Sequence, residues 1–328
     1  MAGRIVVFGA TGFTGRKLAK ALAVRGERPL LAARSREKVS ALALELGGLE
    51  FAVADVGDPS TVTRLLSAGD VLVTTVGPFQ QHGHVALAAA LDAGAHYIDS
   101  TGEPAFLRRV FIEHDARAEA QATLLLPACG YDYVPGNLAA GLALRSAGAT
   151  ACRVDVGYFL LGAGSGVAIS QGTLRSSRIA ALHPGMERIG GKLVPRYGGL
   201  GVREFSVHGR QRAAITVGGS EHYALPDTFP QLSDVGVYLG WFGRRSYLMS
   251  RGAEVMSRVL SVPVLGRALA ELGTRVGPES QGQGPDEATL DKSRSYVTAL
   301  AYDGFEHELA RVTLEGRNPY GFTSDMLA

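Results

Sequence analysis

The residues with the clearest chemical potential come early. Gly9-Ala10-Thr11-Gly12-Phe13-Thr14-Gly15 sets three glycines at G-x-x-G-x-x-G spacing. They lie between a short apolar run, Arg4–Phe8, and a segment, Phe13–Arg25, in which Leu18, Ala19, Leu22 and Ala23 recur at helical spacing. Glycine permits a tight turn at such a junction. It also lets backbone N–H groups approach a pyrophosphate, which then lies on the positive end of the helix. A site for the unphosphorylated dinucleotide would carry a carboxylate about twenty residues further on, against the ribose hydroxyls. Here that position reads Ala33-Arg34-Ser35-Arg36, with Lys38 one turn later. The Arg34 guanidinium, the Ser35 hydroxyl and the Lys38 ammonium suit a phosphomonoester, so the sequence predicts NADP(H) rather than NAD(H). Asp55-Val56, after a third apolar run, either borders the adenine or simply begins a helix.

Three more polar segments follow apolar runs: Thr75-Val76-Gly77-Pro78-Phe79, Asp99-Ser100-Thr101-Gly102-Glu103, and the stretch Cys129–Asn137, CGYDYVPGN. In open α/β sheets ligands bind outside the carboxyl ends of the strands. Val76, Gly77, Pro78 and Phe79 are therefore candidate cofactor contacts, and Tyr131, Asp132 and Tyr133 candidate proton-handling groups. Asp132 and Asn137 serve equally well as helix caps. His82 and Glu103 are further proton-donor candidates, with Tyr158 and Ser170 reaching in from later in the chain. No tyrosine has a lysine four residues on, so the phenol–lysine pair of short-chain dehydrogenases is not supported, and no G-x-S-x-G elbow suggests a hydrolase. His82 and His84 read as loop histidines rather than metal ligands. Glu221-His222-Tyr223, after Gly218-Gly219-Ser220, is a compact polar cluster that either faces the cleft or, the preferred reading, forms a salt-bridged surface turn at a strand end.

The elements that must position these residues alternate. Short apolar runs (Arg4–Phe8, Pro29–Ala33, Glu50–Ala54, Val71–Thr75, His96–Asp99, Thr123–Leu126) are separated by helical patterns through residue 122. That alternation predicts an α/β fold with a doubly wound parallel sheet, the Rossmann arrangement, over residues 1–150. From residue 151 to 310 the pattern changes to a second α+β domain with a mainly antiparallel sheet. Within it, His183–Gly201 reads as a long flexible loop, and Arg251–Gly273 as helical. Core packing is the default for Tyr238–Phe242 and Tyr247–Met249, although a substrate channel or a homodimer contact fits the same residues.

The chain has 328 residues, 33 basic against 31 acidic, so no nucleic-acid footprint is indicated. Two cysteines in apolar surroundings exclude a disulfide framework and a cysteine zinc site. The start lacks a secretory pattern, and the two uncharged stretches Val71–Leu91 and Val156–Leu174 are interrupted by glycines and polar residues. The expectation is a cytoplasmic protein with no integral membrane association.

GATGFTGR at Gly9–Arg16, TVGPF at Thr75–Phe79, DSTGE at Asp99–Glu103 and CGYDYVPGN together resemble the saccharopine dehydrogenase-like NADP-binding proteins, which include trans-acting enoyl reductases. The resemblance covers roughly the first 180 residues, and Ser170-Gln171-Gly172-Thr173 looks like a variant of the family's S-G-G-T turn. It implies a Rossmann domain with an inserted α+β substrate domain, and a C-terminal segment, 311–328, that returns to the first domain. Where relatives have G-F-D-S-x-P-S-D, this chain has Tyr131, Tyr133, Gly136 and Asn137, so no role carries over to those positions. The expected activity is NADPH-dependent reduction of a C=C, C=N or C=O bond in a hydrophobic or acyl-carrier-linked metabolite. A saccharopine dehydrogenase-type imine oxidoreductase, with Arg175 and Arg178 available for carboxylates, and a non-catalytic NADP redox sensor are the alternatives.

Overall fold

The computed structural model describes residues 3–162, 169–262 and 284–328. In the first half the short apolar runs are strands and the amphipathic stretches helices: β1 (Ile5–Phe8), α1 (Phe13–Val24), β2 (Leu30–Ala33), α2 (Arg36–Glu45), β3 (Phe51–Val53), α3 (Pro59–Thr63), β4 (Val71–Thr74), α4 (Phe79–Ala93), β5 (His96–Asp99), α5 (Pro104–Arg109), α6 (Asp115–Ala120) and β6 (Leu125–Leu126). A π-turn at Val110–His114 joins α5 to α6. The six strands pair in parallel in the order β3-β2-β1-β4-β5-β6. The winding reverses between β1 and β4, which opens a crevice above their carboxyl ends.

Alternation along the strands sorts the core into two layers. Val6, Phe8 and Leu72 pack with Leu87 of α4 and Phe106 of α5, while Val7, Leu31 and Val73 pack with Leu18 and Leu22 of α1 and Leu42 of α2. A parallel sheet covered on both faces needs such near-continuous apolar strands.

The second half contains α7 (Val134–Ala147), β7 (Arg153–Leu161), α8 (Gln171–Leu182), β8 (Gly185–Ile189), β9 (Lys192–Arg196), β10 (Val202–Val207), β11 (Arg210–Thr216), α9 (Glu221–Thr228), β12 (Asp234–Leu239), α10 (Arg245–Leu260), α11 (Glu287–Lys292), β13 (Arg294–Tyr302), β14 (Glu308–Gly316) and α12 (Pro319–Leu327). Its sheet runs β10-β11-β12-β7-β13-β14, with β8 also pairing β12 and β9 pairing β8. Every pair among these described strands is antiparallel except β12 with β7. The central strand β7 is buried on both faces. Val154, Val156 and Tyr158 face α7, and Phe159 packs on the opposite side against Phe205 and Tyr296.

Several expectations change. The segment His183–Gly201 is largely a hairpin of β8 and β9, turned at Gly190-Gly191 with φ of +55° and +77°. The two consecutive left-handed residues are what a tight hairpin turn requires. His82 and His84 lie in the first turns of α4, not in a loop. Helix α10 begins at Arg245 and is described to Leu260; the rest of the expected helical stretch falls largely outside the described residues. Helix α7 lies on the second sheet, its Ala139, Ala140 and Ala143 packing against Val154, Val156, Val297 and Ala299. Strand β14 continues to Gly316, past residue 310, and α12 then packs on the first domain. Its Leu327 joins Leu18 and Leu22, and Tyr320 meets the Phe13 ring edge-on at 5.0 Å. Among the described residues no helix is long and apolar enough to cross a membrane.

Candidate active site

The crevice at the switch point opens into a cleft of about 1130 Å³ between the two sheets. Its first wall is the β1–α1 turn. Gly9 has φ +86°, and its carbonyl would lie 2.1 Å from a Cβ on Gly15, so Gly15 is the residue that lets α1 start directly behind β1. No side chain caps α1 and its first turn holds no acid, so the N–H groups at its start are available to an anion. Gly9, Thr11, Gly12, Phe13 and Thr14 line the cleft. Ala10 does not: its side chain is buried in the core beneath.

Arg34, Ser35 and Lys38 line the same cleft where β2 meets α2. Ser35 Oγ accepts the Lys38 N–H at 3.2 Å, so the hydroxyl caps α2 and keeps its own hydrogen for a ligand. Val56 borders the cleft. The Asp55 carboxylate instead accepts the Gly57 N–H at 2.8 Å within its own turn, outside the cleft lining. Across the switch point Val76, Gly77 and Phe79 line the cleft, whereas Pro78 occupies the N-cap of α4 and does not.

Two buried carboxylates hold this rim in place. Glu103 accepts the N–H groups of Phe79 at 2.7 Å and Gln80 at 2.9 Å, capping α4 from a neighbouring loop, and accepts the Ser176 hydroxyl of α8 at 2.6 Å. Burial pushes its pKa up, against those hydrogen bonds. Asp99 accepts the Tyr97 hydroxyl at 2.7 Å and the N–H groups of Thr101 and Ala128, each at 2.8 Å, which ties together the loops after β5 and β6. Burial raises its pKa to about 6.

The loop after β6 delivers the three candidate proton handlers to different places. Asp132 and Tyr133 line the cleft. Asp132 is partly exposed, has no side-chain hydrogen bond among the described residues, and is pushed by burial to a pKa of about 6. Tyr131 lies behind them, 2 % exposed, with its hydroxyl directed to the Phe159 carbonyl at 3.5 Å. Its backbone N–H donates to Thr323 Oγ1 of α12 at 3.0 Å. His82 also lines the cleft; burial first, and the Arg175 charge next, depress its pKa.

The second domain adds groups that the sequence pattern places elsewhere. Glu221, His222 and Tyr223 form the buried first turn of α9, not a surface turn; the first two are 0 % exposed. Tyr223 and Leu225 pack into the core of the second domain, and that apolar spacing after Gly218-Gly219-Ser220 is the signal for a buried helix start. Glu221 Oε1 accepts the Tyr158 hydroxyl at 2.5 Å, and Tyr158 lines the cleft. The apolar end of the cleft is walled by Ile215, Val217, Leu239, Trp241, Met249 and Leu260. Trp241 and Met249 belong to the stretches for which core packing is the default expectation.

This geometry agrees with the comparisons to known proteins. Residues 5–125 match the family model for the saccharopine dehydrogenase NADP-binding domain. A trans-acting enoyl reductase of Mycobacterium ulcerans is 38 % identical over 141 residues, 41 % of this chain and 34 % of the relative. A protein of Arabidopsis thaliana named as a saccharopine dehydrogenase-like oxidoreductase is 31 % identical over 149 residues, 41 % of this chain and 33 % of its own length. The match thus spans about a third of the length of these curated relatives. Among solved structures, apo saccharopine dehydrogenase (L-Glu forming) from Saccharomyces cerevisiae superposes with a TM-score of 0.56 at 15 % identity, covering 100 % of this chain and 88 % of that one. The two-domain architecture is therefore of the saccharopine dehydrogenase kind, and NADP is the dinucleotide of its first domain.

Proposed function

We propose that the protein is an NADPH-dependent reductase acting on an activated double bond of a hydrophobic or carrier-linked metabolite, with 2-enoyl thioesters the favoured substrate class. One observation carries this reading. The cleft is continuous from the glycine turn, past the polar edge at Asp132, Tyr133 and Tyr158, to the apolar wall at Trp241, Met249 and Leu260. A cofactor lying along the first domain would present its reactive end to the polar edge, with an apolar chain accommodated beyond it.

When bound, NADPH supplies the hydride. The chain's residues orient it: the start of α1 takes the pyrophosphate, Arg34, Ser35 and Lys38 take the ribose phosphate, and Val76, Gly77 and Phe79 border the passage toward Asp132. The cleft groups near Asp132 then hold and move the accompanying proton. The amino-acid imine alternative calls for paired guanidinium groups on substrate carboxylates. Arg175 reaches the cleft but donates to Gln81 Oε1 at 3.3 Å, and Arg178 is exposed and outside the cleft lining, which favours the enoyl reading.

The test is loss of reduced-nicotinamide absorbance when protein and NADPH are mixed with trans-2-enoyl coenzyme A thioesters of increasing chain length, and separately with 2-oxo acids plus amino acids. Oxidation that becomes more efficient with acyl length is expected. Oxidation only with the 2-oxo acid and amine mixtures would replace the enoyl reading by the imine one. Silence with both sets would leave a non-catalytic NADP sensor.

A further inference from the structure

We propose that Tyr158 is the proton donor of this cleft and that Glu221, buried behind it, is a positioning residue that restores the Tyr158 proton. The inference rests on the reductase reading but concerns residues outside the dinucleotide domain.

Tyr158 is on the face of β7 that looks toward α7 and is one of the residues lining the cleft. The hydroxyl has one hydrogen and two neighbouring acceptors: Glu221 Oε1 at 2.5 Å and the Tyr133 carbonyl at 3.3 Å. Glu221 is wholly buried and its other oxygen, Oε2, has no hydrogen-bond partner. A buried carboxylate with an orphaned oxygen is costly as an anion and much cheaper as a neutral acid. With Glu221 neutral, its own proton lies in the short bond to Tyr158, and the Tyr158 hydrogen is released toward the Tyr133 carbonyl or a substrate atom in the cleft.

The site is also closely built. A Cβ on Gly136 would lie 1.8 Å from the Tyr158 hydroxyl oxygen and 2.3 Å from Glu221 Oε1; one on Gly219 would lie 2.3 Å from Glu221 Oε2. Glycine at both positions lets the backbone close over the pair and exclude water. The charged and titratable groups facing it are Asp132 and Tyr133 from the β6–α7 loop, whose fields act on Glu221 and Tyr158, and Glu103, which acts on Tyr133.

The step balances. The hydride and its electron pair reach the electrophilic carbon of the substrate double bond from NADPH. The Tyr158 O–H bond breaks as its proton joins the neighbouring substrate atom, which has received the electron pair of the double bond. The Glu221 O–H bond breaks in turn to restore the phenol; after product leaves, water in the cleft gives a proton to the Tyr158 oxygen as the phenol's own proton passes back to Glu221.

The experiment has two arms. Infrared spectra of the NADP⁺-bound protein, recorded against pH, should contain a protonated-carboxyl band that survives at neutral pH, is lost in Glu221→Gln and is retained in Asp132→Asn. With the enoyl thioester panel, Tyr158→Phe should bind NADPH normally yet lose about 100-fold or more in kcat, the scale of general-acid catalysis. Glu221→Gln should keep its KM while the alkaline limb of its kcat profile moves. No such band at neutral pH overturns the role of Glu221, whatever the turnover. Near-normal turnover in Tyr158→Phe overturns the donor assignment while leaving the reductase reading intact. Silence of the wild-type protein across the panel overturns both.

Discussion

Glu221 makes a quantitative demand on stability that involves no substrate. Its folded-state pKa is raised by burial from the ordinary 4.5 to about 8. A carboxyl raised in this way contributes stability that is fully present below its unfolded pKa and is lost as pH rises toward its folded one. The window is therefore 4.5 to 8. Within it each step of one in pH removes about 1.4 kcal/mol, less near the two ends, so between about pH 5 and pH 8 the wild-type protein should lose roughly 3.5 kcal/mol through this group alone. Glu221→Gln keeps the shape and removes the titration. The amide carries a fixed cost of about 1–3 kcal/mol for an unpartnered N–H. That cost is the same at every pH, so the slope, not the offset, is diagnostic. Urea unfolding at a series of pH values should show the wild-type stability falling relative to that of the variant by about 3.5 kcal/mol from about pH 5 to pH 8, because contributions common to both proteins cancel in the difference. His222 provides an internal control on the opposite side. Burial depresses its pKa to about 4, so its contribution is present above the ordinary histidine value and lost as pH falls toward 4, in both proteins. Parallel curves for wild type and variant across the alkaline half would refute the reasoning and show Glu221 ionised in the folded protein.

Four other substitutions test the site. Gly15→Ala drives a Cβ to 2.1 Å from the Gly9 carbonyl oxygen, so α1 must retreat; calorimetry should find NADPH binding lost, with about 1–3 kcal/mol of overpacking cost in the melt. Arg34→Asp should weaken NADPH by about tenfold or more, near 1.4 kcal/mol, and leave NADH much less affected; equal losses would deny Arg34 a role at the ribose phosphate. Tyr131 is not among the residues lining the cleft and its hydroxyl meets the Phe159 carbonyl, so Tyr131→Phe should leave turnover within about twofold and cost about 1 kcal/mol, whereas Asp132→Asn should alter the acidic limb of the rate profile near its pKa of about 6.

The dinucleotide half was readable because its rules are local. A strand, a glycine turn and a helix start occupy consecutive residues, and the absence of an acid at Ala33-Arg34-Ser35 needs no tertiary information to interpret. Even there, orientation escaped the sequence. Ala10 and Pro78 sit inside the right segments but face elsewhere, and the Asp55 carboxylate closes its own turn. The substrate half was harder to read because its site is assembled across the fold. Tyr158 meets Glu221 through a bond spanning 63 residues. Charged and aromatic residues after a Gly-Gly-Ser look the same in sequence whether solvent or a second sheet covers them. Similarly, α7 reads as the last helix of the first domain, yet its run of alanines is what a close approach to β7 and β13 requires.

The chain passes between the two sheets at the loop before α7 and again at Arg317-Asn318, and the helix α12 that follows the second crossing touches the first. The Tyr131 N–H is bonded to Thr323, and a Cβ on Gly130 would meet the Thr323 methyl at 2.9 Å. A body held at one point can swivel, but one held along a short line can only swing, like a door on its hinge pins. Asp132 and Tyr133 stand beside the pins and would scarcely move in such a swing. Away from the pins the second domain is tied to the first by the Ser176–Glu103, Arg175–Gln81 and Lys17–Glu287 bonds, all of which a swing would have to release. The contact between α12 and the first crossing thus fixes Asp132 and Tyr133 against both domains at once, at the line where the two bodies join.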